Sequence, residues 1–160
     1  MADDRTRIIY YGDNLDILRD HIATETVDLV YLDPPFKSQQ DYNVLFRTVR
    51  GEPAEAHVEA FEDTWKWGAE ARATYERLVT DPIIPGNVSK MIEAFYQFLG
   101  PTEMLAYLVM MTPRLMELHR VLKPTGSLYL HCDPAASHYL KVVLDIIFGP
   151  TNFRNEIVWK

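Results

Sequence analysis

The ten residues VDLVYLDPPF, positions 27–36, limit the chain more than any other stretch of it. Val27, Leu29, Val30, Tyr31 and Leu32 make a nearly continuous β-prone apolar run, the pattern of a strand covered on both faces in a parallel sheet. Asp33 falls where that strand must stop. Pro34 and Pro35 lack amide protons, fix φ, and bias the residue before each toward extended backbone. The sequence thus predicts a carboxylate, two exposed carbonyls and the ring of Phe36 held together at the carboxyl end of a central strand. In open α/β sheets that edge is where ligands bind.

The flanking residues supply the rest of such a sheet. Ile8 to Tyr11 reads as a first strand, followed by the turn Gly12-Asp13-Asn14, whose Asp or Asn caps a short helix from near Leu15 to about His21. The opening is therefore β-α-β, the unit of parallel sheets. From position 37 to about 64 periodicity fades, with Val44-Leu45-Phe46 as a short apolar piece, and a loop that long beside a strand end predicts a lid or binding loop. Trp65 and Trp67 read as packing residues ahead of a helix from Ala69 to Val79, and Pro82, Pro85 and Gly86 separate it from a second, Val88 to Leu99, striped by Met91, Ile92, Phe95, Phe98 and Leu99. The longest helical pattern runs from Met104 to Leu122. Pro113 lies inside it at a cost of about 3 kcal/mol, which predicts a kink or two helices in series. Lys123-Pro124-Thr125-Gly126 ends it, Ser127 to Cys132 is a strand, and Asp133-Pro134 has the form of an N-cap and first-turn proline for a helix to about Phe148, closed by Gly149. Glu156 to Trp159 reads as a further strand. The sum is one α/β domain over 1–160 with a mostly parallel sheet and a helical and loop insert at about 37–100.

Composition sets bounds. The single cysteine, Cys132, excludes an internal disulfide framework and points to a reducing compartment. No signal-peptide core and no membrane-length apolar run exists, so the expectation is a cytoplasmic protein without a membrane partner. A net charge of −7 runs against nucleic-acid binding through this chain alone, because phosphate contacts need clustered Lys and Arg. His131, Cys132 and Asp133 do not make a metal site, since alternation sends Cys132 to the opposite face from the other two.

Asp-Pro-Pro-Phe after an apolar strand, with Gly12-Asp13 at the end of the strand before it, resembles the DNA amino-methyltransferases, and most closely the β-class, permuted enzymes that include modification subunits of type III restriction systems. GDNLDIL is similar to the segment near the cofactor adenine in that family, VDLVYLDPPF to the catalytic motif, and FEDTW to the element after the lid. LHRVLKPTGSLYLHCD and the segment from Asp133 to the end are similar to the helices and strands that follow. The resemblance implies a Rossmann-like methyltransferase fold, S-adenosyl-L-methionine as cofactor and double-stranded DNA as substrate. It favours adenine N6 over cytosine N4, where serine commonly replaces the aspartate.

An exocyclic amine on a purine is a poor nucleophile because its lone pair is delocalised. If Asp33 and the Pro34 carbonyl accept its two N–H bonds, the nitrogen is drawn toward tetrahedral geometry and its lone pair is freed for a methyl sulfonium. The resemblance thus assigns Asp33, Pro34, Pro35 and Phe36 as catalytic, with Phe36 stacking on a flipped-out base and Tyr31 helping to hold it. Lys37 and Tyr42, together with Gln39, Gln40 and Asn43, are candidates for contacting DNA or closing over the base. Asp13 is a candidate for the cofactor adenine and equally a helix cap.

One family feature is missing. All seven glycines are isolated, so the FxGxG turn that approaches the methionine part of the cofactor does not occur. The expectation is an amino-terminal catalytic half that works with a carboxyl-terminal half or partner subunit carrying FxGxG, with a homodimer or a restriction subunit as further partner. The alternative is a non-catalytic remnant or assembly module that keeps the fold without binding cofactor.

Overall fold

The computed structural model describes residues 7–34 and 65–158. The elements run α1 (Asn14–His21), β1 (Val27–Leu32), α2 (Ala69–Thr80), α3 (Gly86–Leu99), α4 (Glu103–Val121), β2 (Leu122–Leu130), α5 (Pro134–Phe148) and a 3-10 turn at Pro150–Asn152. Positions 37–64, and with them the lid and most of FEDTW, lie outside the described residues, as does Trp159.

α4 is the hub, packing against α1, α2, α3 and α5. Leu105, Leu108, Val109, Met111, Leu115 and Val121 on it are buried and form the core with Ile92 and Phe95 of α3 and Leu140 and Val143 of α5. It does not divide at Pro113: one helix runs through the proline. The imino nitrogen cannot donate to the Val109 carbonyl, but the carbonyls on either side gain side-chain donors. Thr112 Oγ1 donates to Leu108 O at 2.7 Å and Arg114 Nη1 to Met110 O at 2.9 Å. The apolar burial along both halves outweighs a cost of about 3 kcal/mol. On α3 the expected stripe holds except for Phe98, which is exposed. Among the described residues no helix is long and apolar enough to cross a membrane.

β1 and β2 pair in parallel, and among the described residues they are the whole sheet. The register is continuous from Leu29↔Ser127 to Leu32↔Leu130. Before it, Val27 pairs with Leu122, so Lys123-Pro124-Thr125-Gly126 bulges out opposite Asp28, and Lys123 Nζ holds that carboxylate at 2.8 Å. Continuous pairing thus runs from Ser127, whereas the strand itself begins earlier than expected, at the Val27↔Leu122 pair, and ends at Leu130 rather than Cys132.

Three expectations are corrected. Among the described residues β1 is covered on one face only: Val30 is in the core with Leu32, Leu128 and Leu130 packed against it, whereas Leu29 and Tyr31 are 59% and 70% exposed. A continuous apolar run does not report which face finds a cover. Ile8 to Tyr11 is not a strand but an irregular approach to α1, with Ile9 96% exposed. Nor do residues 156–158 form one. Both segments are β-prone, but a strand exists only where a ladder partner stands beside it.

Candidate functional site

Two strand ends meet at the site. Leu32 and Leu130 are the last registered pair, and the His131 amide donates to Leu32 O at 2.8 Å, carrying the pairing one step further. Asp33 and His131 therefore stand side by side where the strands stop. By the two-residue alternation they share the uncovered face with Tyr31 and Tyr129, which are themselves registered. His131 Nδ1 lies 3.1 Å from Asp33 Oδ1, and both side chains are more than half exposed. Pro34, next in the chain, is buried, in contrast to the exposed carboxylate before it. Pro35, Phe36, Lys37 and Tyr42 lie outside the described residues.

Behind this face Cys132 packs against the core, on the opposite side from His131 as alternation requires. Burial, with help from the Asp133 and Glu156 carboxylates, pushes its thiol up from the ordinary range. Beneath it the Tyr107 ring packs against Trp65 with centroids 5.8 Å apart. Burial first, then Cys132 and Asp133, raises the Tyr107 phenol well above its usual value. Trp67 likewise packs on Tyr75 and Tyr96. Both tryptophans are therefore packing residues, as expected. Asp133 caps α5 by accepting from the Ala136 amide at 2.8 Å.

Asp13 is the N-cap of α1, accepting from the Leu15 amide at 2.8 Å. It is also gripped by a residue that sequence reading passed over. Arg114 Nη2 donates to Asp13 Oδ1 at 2.9 Å and Oδ2 at 2.7 Å, while its Nε donates to Asn14 Oδ1 at 2.9 Å. Arg114 is largely buried and the Asp13 carboxylate remains part-exposed, with lone pairs to spare for another donor. No local signal announces a pair a hundred residues apart. The His131–Asp33 pair could have been anticipated in part, since each residue directly follows its strand, but the register joining them is not written in either segment.

An apolar hollow of about 520 Å³ between α3 and α5, lined by Met91, Phe95, Phe98 and Tyr139, involves none of these groups.

The comparisons agree with what this strand end suggests. The sequence family described as DNA methylase, of the N6/N4 type, matches residues 27–160. The Mod subunit of the type III restriction-modification enzyme StyLTI of Salmonella typhimurium is 28% identical over 93% of this chain and 19% of its own length. The EcoP15I Mod subunit of Escherichia coli is 24% identical over 96% of this chain and 20% of its own. The type II methyltransferase M.KpnI of Klebsiella pneumoniae is 27% identical over 98% of this chain and 27% of its own. The chain thus spans 19–27% of the length of these relatives. No solved structure matches it.

Proposed function

The chain belongs to the N6/N4 DNA methylase family, and from that premise we propose that it is the catalytic part of an adenine-N6 DNA methyltransferase. One observation carries the reading: Asp33 projects from the carboxyl end of a parallel strand, more than half exposed, with a buried proline fixing the backbone just after it. A carboxylate so placed is an acceptor at a fixed point of the backbone, and a fixed point is where a delocalised exocyclic amine can be brought to it.

Asp33 accepts one N–H of the adenine amine and the Pro34 carbonyl the other, so the nitrogen gives up conjugation with the ring and its lone pair becomes available. S-adenosyl-L-methionine, when bound, supplies a methyl group on a sulfonium. Asp33 then holds the proton that the nitrogen sheds until it leaves to solvent. Phe36 supplies an apolar face for a base drawn out of the duplex, and Tyr31, already exposed on the same face as Asp33, a second. Lys37 and Tyr42 contact the DNA. What the described residues offer the cofactor is acceptor capacity at Asp13, which fits an adenine amine. We assign residues 1–160 to one such domain, its two parallel strands belonging to a larger Rossmann-like sheet. Double-stranded DNA is the substrate, and the likeness to type III Mod subunits makes a restriction subunit the candidate partner.

The test is methyl incorporation from labelled S-adenosyl-L-methionine into duplex DNA by the protein expressed from its whole reading frame, with nucleosides resolved by mass spectrometry. Label in N6-methyladenine, abolished by Asp33→Ala, is the expected result. Label in N4-methylcytosine overturns the base assignment, and activity that survives Asp33→Ala overturns the site.

A further inference from the structure

Resting on that reading, we propose that His131 is a positioning residue for Asp33: the imidazole fixes one carboxylate oxygen so that the other faces the amine of the substrate base. The Nδ1–Oδ1 separation is 3.1 Å, and an ionised carboxylate has no proton to give, so Nδ1–H is the donor. Both the imidazolium and the neutral ring protonated on Nδ1 donate there. The contact is built into the backbone, because the His131 amide donates to Leu32 O at 2.8 Å, tying His131 itself to the residue just before Asp33.

The exposure of the pair argues for orientation over stability. With side chains 59% and 57% exposed, an ion pair or hydrogen bond here adds little to folding, since water competes for both groups. The same exposure would leave a lone aspartate free to rotate. With Oδ1 held, the carboxylate plane is set and Oδ2 is the oxygen left for the amine. The interaction strengthens once a base covers the face and displaces water.

The geometry names the atom, and the atom chooses the variants. Asparagine carries an amide nitrogen at the branch position of Nδ1, whereas the glutamine nitrogen lies one carbon further out. In the full-length protein assayed with S-adenosyl-L-methionine and duplex DNA, His131→Asn is expected to keep kcat within about threefold. His131→Gln and His131→Ala should lower it by about 10- to 100-fold, the scale of a displaced reacting group, with KM for cofactor and DNA unchanged. Circular dichroism confirms folding of each variant. The proposal is overturned if Asn is no better than Ala, if all three variants match wild type, or if the loss lies in KM.

A second readout needs no turnover. In the isolated chain, 15N NMR should show His131 protonated on Nδ1 in wild type and this preference lost in Asp33→Ala. A tautomer indifferent to Asp33 overturns the pairing. If wild type methylates no base while the tautomer shift is present, the enzymatic reading has failed and the positioning role with it, although the pair itself stands.

Discussion

At the scale of single residues, sequence alone located Asp33 because two imino acids leave the chain no other course than to end the strand there, and that logic needs no tertiary information. Its neighbours across the sheet were not readable in this way. Cys132 shows how the two faces of one strand end differ chemically. His131 stands toward solvent, while Cys132, one residue on, faces the core and has its thiol raised by burial, then by Asp133 and Glu156. Only the thiolate is nucleophilic, so a raised pKa means less reactive species at neutral pH. Alkylation of Cys132 by iodoacetamide should therefore be slower than that of a free thiol at pH 8, and should climb toward it only above the ordinary thiol range. A rate equal to that of glutathione at pH 8 would refute this. The linkage has a definite sign. Because the folded state prefers the protonated thiol, its stabilisation is complete below the unfolded-state pKa and is lost as pH rises through the folded one. Tyr107, raised in the same direction, adds to that alkaline loss.

At the scale of elements, helices were legible and weak strands were not. α5 announces itself through Asp133, Pro134 and Gly149, and each performs the expected local task, the glycine at φ +88°. Ile8 to Tyr11 carries β-prone residues, yet its strand was an inference about a partner that no local residue encodes. α1 is held by another means invisible in sequence. It buries only Leu15, and α4 clamps it at both ends by arginine. Arg114 grips its N-cap, while Arg120 donates to Leu18 O at 2.6 Å and Ile22 O at 3.1 Å, caps the final turn, and is itself braced by Glu117. Replacing Arg114 by lysine keeps the charge but not the planar fork that reaches Asp13 and Asn14 together. Arg114→Lys and Arg120→Ala should each lower unfolding free energy by about 1–3 kcal/mol in urea titrations, and loss of protection in hydrogen exchange should fall first on α1. Equal loss across α3 and α5 would show that the clamp is not local. Gly126 makes a separate demand. A Cβ there would lie 2.8 Å from Leu122 Cγ and 3.0 Å from the Lys123 carbonyl, so Gly126→Ala should cost about 1–3 kcal/mol by forcing the bulge apart. Wild-type stability of that variant would mean the bulge yields freely.

For the molecule as a whole, the unequal faces of the sheet decide behaviour. α4 and its neighbours cover one side with a continuous core, while Leu29, Tyr31 and Tyr129 remain exposed on the other, and β1 pairs on one edge only among the described residues. A sheet that, among the described residues, has one apolar face bare and the outer edges of both strands offering amides and carbonyls is a template for another surface. The sequence pattern implied cover on both faces, and it was right that these residues are apolar but silent on what meets them, since hydrophobicity records a demand for burial and not its fulfilment. Net negative charge works against association through long-range repulsion, which salt screens beyond a Debye length of about 8 Å at physiological ionic strength. The two effects compete, and ionic strength separates them. The 160-residue chain should therefore self-associate in a concentration-dependent way by multi-angle light scattering, more strongly as sodium chloride is raised. The double variant Leu29→Asn, Tyr129→Thr should weaken that association while leaving the far-ultraviolet circular dichroism unchanged, because neither side chain contributes to the core. A monomer at every concentration and salt level would mean that the bare face is too small to drive association. Association undiminished in the double variant would place the contact at the strand edge instead.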